Sequence, residues 1–94
     1  MFHKLKQYKD LRNKAKSLQS ALGAVSVEAT GASGKVRVTM SGIMEVTKLY
    51  IDETLPREKI ESGVREAVND AVKKSQRLAA DKIKEMGGLP QMPS

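Results

Sequence analysis

Residues 25–41 alternate so regularly that they constrain the fold more tightly than any other stretch of the chain. Val25, Val27 and Ala29 occupy every second position, with Ser26, Glu28 and Thr30 between them. After Gly31-Ala32-Ser33-Gly34 the alternation resumes, with Val36, Val38 and Met40 set against Lys35, Arg37, Thr39 and Ser41. Successive side chains on a strand point to opposite faces, so each run makes one apolar face and one polar face. A short Gly-rich turn between two such runs folds the second back on the first. The spacing predicts a β-hairpin, with its turn at 31–34.

Ser41-Gly42 turns the chain again, and GIMEVTKLYIDETLP, residues 42–56, supplies a third strand that ends near Asp52. Met44 and Val46 alternate, as do Leu49 and Ile51, but three residues separate Val46 from Leu49. A step of three moves the apolar set to the other face of a strand. A β-bulge within Val46-Thr47-Lys48-Leu49 loops one residue out, so that Val46, Leu49 and Ile51 face the same core. The alternative is a strand covered on both sides, with a second copy burying Met44 and Tyr50. The bulge is the expected arrangement. Asp52 is expected to close the strand and cap the following turn. Short connections make the three strands an antiparallel meander.

Helical periodicity flanks the meander. Leu11, Ala15, Leu18 and Leu22 recur at steps of four, three and four, with Tyr8 and Phe2 continuing the face upstream. Gly23 is the first Gly or Pro and a suitable stop, after about 30 Å of helix at 1.5 Å per residue. Pro56 suits the first turn of a second helix. Ile60, Val64, Ala67, Val68, Ala71, Leu78 and Met86 then recur at helical spacing until Gly87-Gly88. The expected fold is α+β, in the order α-β-β-β-α with a three-stranded antiparallel sheet. Residues 1–86 form one domain and residues 87–94 a flexible Gly/Pro/Met tail.

Aromatic residues make up only 3% of the chain, namely Phe2, Tyr8 and Tyr50. So thin a core, and a sheet with two open edges, point to pairing with a second copy. Without cysteine there are no disulfides or thiolate metal sites. No apolar run approaches the ~20 residues of a membrane span, and Met1-Phe2-His3-Lys4 opens no signal peptide, so a cytoplasmic protein is expected. His3 lies at a terminus. The acidic pairs Asp52-Glu53 and Glu58/Glu61 have no convergent partners for a metal, and Gly31-x-x-Gly34 reads as a hairpin turn. With no phosphate loop or nucleophile motif, no enzymatic activity, cofactor, metal or small-molecule substrate is expected.

The net charge is +6 and concentrates at the chain's ends: Lys4, Lys6, Lys9, Arg12, Lys14 and Lys16 face Asp10 alone within the first 22 residues. With Leu11 at the centre of the first helix's apolar seam, Lys6, Lys9, Arg12 and Lys16 fall on its side and back, within about 120°. On the last helix Lys73, Arg77 and Lys84 lie within about 40° of one another, opposite Val64. Such a surface serves solubility, phosphate binding or an acidic membrane. The membrane reading lacks the bulky apolar load of interfacial helices. The first helix also lacks the mixed signs of an ordinary salt-bridged helix.

The motif Gly42-x-x-Glu45-Val46-x-x-Leu49-x-Ile51-Asp52-x-x-Leu55 closely resembles the central signature of the YbaB/EbfC nucleoid-associated proteins. Gly34-Lys35-Val36-Arg37-Val38-Thr39 before it, Val68-Asn69-Asp70-Ala71 with Lys73-Lys74 after it, and the tail Gly87-Gly88-Leu89-Pro90-Gln91-Met92-Pro93 extend the resemblance over nearly the whole chain. The resemblance implies a bacterial homodimer in which the sheets of two subunits associate and long helices project like the arms of tweezers. It also implies nucleoid association and binding to double-stranded DNA with little sequence preference. The family's DNA contacts lie on the projecting helices; placing them at Lys6, Lys9, Arg12, Lys16, Lys73, Arg77 and Lys84 is an inference from the helical wheel. The first helix departs from the family in being poorer in Met and Gln and richer in Lys, and Pro56 stands where many relatives carry acids. The alternative function is a dimeric scaffold whose arms grip a protein partner.

Overall fold

The computed structural model describes the backbone of residues 2–87, and side chains from residue 9 onward. Residues 88–94 of the expected tail lie outside the described residues. Helix α1 (Phe2–Gly23) leads into strand β1 (Ser26–Gly31), a short 3-10 turn (Ala32–Gly34), β2 (Val36–Ser41), β3 (Val46–Ile51) and helix α2 (Arg57–Glu85). The strands form one antiparallel sheet in the order β1-β2-β3, so the expected α-β-β-β-α meander is the fold.

Alternation dictates which face is buried. Ala29 pairs with Val38, and Val36, Val38 and Met40 are almost wholly buried beneath α2. The helix answers with a stripe at steps of four: Gly63, Ala67, Ala71 and Ser75 are its buried residues. Residues this small let the helix axis lie close to the sheet. Contact is tightest where Gly31 meets Gly63, since a Cβ on Gly31 would run into the Gly63 carbonyl oxygen and stand 3.1 Å from the Ala67 nitrogen. Backbone cannot step aside as a flexible side chain can. Gly31→Ala is therefore expected to lose about 3 kcal/mol of stability, the upper range for overpacking, read as a lower urea midpoint. The one buried hydroxyl of the stripe is satisfied, for Ser75 Oγ donates to the Ser41 carbonyl at 2.8 Å.

The irregular step in β3 is a bulge. Thr39 pairs with Lys48 and Met40 with Val46, so Thr47 is passed over in the ladder. Its hydroxyl donates to the Thr39 carbonyl at 3.3 Å. Val46, Leu49 and Ile51 thereby lie opposite Met40, Val38 and Val36 and share their face. The expectation that all three are buried in one core needs correction. Helix α2 lies over β1 and β2 and barely reaches β3, leaving Val46 48% and Leu49 52% exposed. Only Ile51 packs against the core cluster.

Asp52 closes the strand as expected: its Oδ1 accepts from the Thr54 hydroxyl at 2.6 Å and the Thr54 amide at 2.8 Å. These bonds, the hydroxyl's first, hold the Asp52 carboxyl below its ordinary value. The turn therefore has its cap above the usual carboxylate pKa and loses it as pH falls through the depressed one. Pro56 stands immediately before the first residue of α2, and Gly87, with φ +87°, follows its end.

Both helices leave the sheet at the same end. Helix α2 starts beyond Ile51, crosses Gly31 at Gly63 and reaches Ser41 at Ser75. Its remaining ten residues, 76–85, run about 15 Å past the sheet. Helix α1 arrives at that same end, where the Gly42 amide donates to the Leu22 carbonyl at 2.9 Å. Contacts between the two helices are sparse, and the chain extends 63 Å along its longest axis.

Candidate nucleic-acid interface

An arm that projects from a sheet can turn only a narrow face inward. On α1, Leu11, Leu18, Ala21 and Leu22 are half-buried, whereas Lys9, Arg12, Lys14 and Lys16 are exposed. Ala15, expected on the seam, is exposed as well. On α2 the buried stripe fixes the orientation, and Lys73, Arg77 and Lys84 stand exposed away from it. Lys9, Arg12 and Lys16 thus make a strip along α1, and Lys73, Arg77 and Lys84 a second strip of about 16 Å along α2. The side chain of Lys6 lies outside the described residues.

Ion pairing among the described residues spares both strips. The pairs are Arg65–Glu61 at 3.6 Å, Lys74–Asp70 at 3.4 Å and Lys82–Glu85 at 3.5 Å, none involving a candidate cation. Lys74 also donates to the Glu28 carbonyl, at 3.1 Å. The two strips differ in surroundings. Lys73 shares a surface depression with Thr30, Glu66, Asn69 and Asp70, whose carboxylates weaken its field. Asp81 lies between Arg77 and Lys84 along the helix, four residues from one and three from the other, and so neighbours both. Helix α1 has Asp10 alone, so the stronger positive strip is there. Lys14 is as exposed and as free of acidic partners as its neighbours. It lies about 60° from Leu11 on the wheel, outside the sector that holds Lys6, Lys9, Arg12 and Lys16.

Two helical strips of cations are suited to phosphate oxygens. The sequence model of the YbaB/EbfC DNA-binding family matches residues 1–89. The chain belongs to the YbaB/EbfC DNA-binding family. DNA binding in association with the nucleoid is therefore its general activity, and the family is not known as an enzymatic one. The fold is similar to that in the crystal structure of an uncharacterized protein, HP0035, from Helicobacter pylori. The match has a TM-score of 0.76 at 22% identity and covers 94% of this chain and 98% of that one. At that identity the likeness speaks for the fold alone. Among the described residues no three His, Cys, Asp or Glu side chains are grouped to hold a metal ion, and no helix is long and apolar enough to cross a membrane.

Proposed function

We propose that this YbaB/EbfC chain is a cytoplasmic, nucleoid-associated protein that binds double-stranded DNA as a homodimer, with little sequence discrimination, through the basic faces of its projecting helices. Residues 1–86 act as the DNA-binding domain, with 87–94 as a tail. The observation that carries this reading is the pair of exposed strips, Lys9-Arg12-Lys16 and Lys73-Arg77-Lys84, whose cations have no acidic partner among the described residues. Lys6 extends the first strip in sequence. Cations held this way neutralise phosphates and release the counterions condensed on DNA, a driving force blind to sequence. Neither strip clusters Asn, Gln and Arg as a base-reading helix does, so discrimination between sequences is slight.

Support for the homodimer comes from the two sheet edges, which differ. At β1, Lys74 donates to the Glu28 carbonyl and the Ala32 amide reaches Glu66, so α2 side chains occupy that edge. At β3 the half-exposed Met44, Val46 and Leu49 line an edge that α2 barely reaches. A second copy packed there covers both the apolar face and the open strand. A gel shift on random-sequence duplex at two salt concentrations tests the reading. The duplex is expected to be retarded at low salt and largely released at high salt. Absence of retardation at low salt would instead favour arms that grip a protein.

A further inference from the structure

We propose that the open face of the sheet, opposite α2, is a second binding site, one for single-stranded nucleic acid. It does not depend on the helical strips. The register sets two cross-strand rows on this face: Glu28, Thr39 and Lys48 in one, Thr30, Arg37 and Tyr50 in the next. The rows are about 7 Å apart along the strands, and the outer strands about 10 Å apart. Arg37, Lys48 and Tyr50 are exposed, Tyr50 to 53%, and together with Glu28, Thr39 and Leu49 they line a shallow depression. The Arg37 guanidinium lies 5.9 Å from the centre of the Tyr50 ring.

One of only three aromatic residues in the chain is thus held on the solvent side of the sheet, between two cations. Charge selects the occupant. Arg37 and Lys48 sit on β2 and β3 beside Tyr50, while the one carboxylate of these rows, Glu28, stands on β1 at the far end. A strand laid over the β2–β3 side meets both cations and avoids Glu28, while Asp52, next along the chain, has its carboxylate engaged by Thr54. An unpaired base stacks on the Tyr50 ring while flanking phosphates take Arg37 and Lys48, as on other aromatic sheet platforms. Bases inside a duplex cannot reach the ring. A β-strand peptide would pair with an edge and leave this face open.

Fluorescence anisotropy with labelled oligothymidine, oligouridine and a random-sequence duplex, at about 0.15 M salt, tests the proposal. Binding of either single strand is expected, and the two oligomers tell DNA from RNA. Tyr50→Ala should weaken it about tenfold, the loss typical of one stacked base, and leave duplex affinity unchanged. Tyr50→Phe should retain the binding because the ring remains. Arg37→Gln, which keeps the ring and removes the cation, should also lose affinity, and it decides the case if the Ala variant shows a disturbed circular dichroism spectrum. Failure of the parent to bind either oligomer would overturn the proposal. So would Tyr50→Ala and Arg37→Gln variants that bind single strands as the parent does, since Arg37 and Tyr50 would then be only a stabilising cross-strand pair. Binding of oligomers without duplex binding would leave this site standing and remove the helical arms as the DNA contact.

Discussion

Reversing Lys9, Arg12 and Lys16 together to Glu is expected to weaken binding to every duplex by about a hundredfold or more at moderate salt. The three side chains are exposed and unpaired among the described residues, so nothing in the fold depends on their charge. Surface changes of this kind usually shift stability by less than about 0.5 kcal/mol each, so circular dichroism should report an unchanged fold. Each phosphate contact removed lowers the salt slope by about one, and the new carboxylates add repulsion. Equal losses on unrelated sequences mark the contact as electrostatic. Unchanged affinity in the folded variant would take DNA away from α1 and leave its positive face to solubility or a protein partner.

Leu49→Glu should halve the particle mass measured by light scattering at micromolar concentration, from about two chains to one. Within a single chain the change is tolerable, because Leu49 is already 52% exposed. Beneath a second copy the carboxylate would be stripped of water without a partner, at a loss of several kcal/mol. Leu49→Ala depends on the second copy in the same way. Were Leu49 buried in the chain's own core, that truncation would cost roughly 2–5 kcal/mol at any concentration. As the edge lies half open, the loss should grow with protein concentration, as the dimer forms. Lys48→Ala, on the opposite face, should alter neither mass nor stability by more than about 0.5 kcal/mol. A parent protein that is a stable monomer at micromolar concentration would contradict the dimer and the tweezers arrangement together.

Period and punctuation made the elements legible. Two-residue alternation at Val25–Ala29 and Val36–Met40, and the three-residue step from Val46 to Leu49, foretold the hairpin and the bulge. Alternation reports which face a side chain takes, and says nothing of what covers that face. This is why Val46 and Leu49 were placed correctly and yet expected to be buried. The hairpin turn was legible in position but not in form. Ala32 and Ser33 adopt left-handed φ values of +50° and +57°, a conformation no Asn or Gly at those positions announces. On α2, wheel geometry places Lys73, Arg77 and Lys84 on the exposed side because the small-residue stripe fixes the helix's rotation. The depression around Lys73 is not legible in the sequence because Thr30 reaches it from β1, more than forty residues earlier in the chain.

The most direct test of the central reading is the affinity of the parent protein for two unrelated duplexes, measured across a range of salt concentrations. Four to six phosphates neutralised per complex predict that log K falls with log[salt] at a slope of roughly −4 to −5, the same for both sequences. A slope near zero, or a preference of about a hundredfold for one duplex, would contradict binding through exposed helical cations.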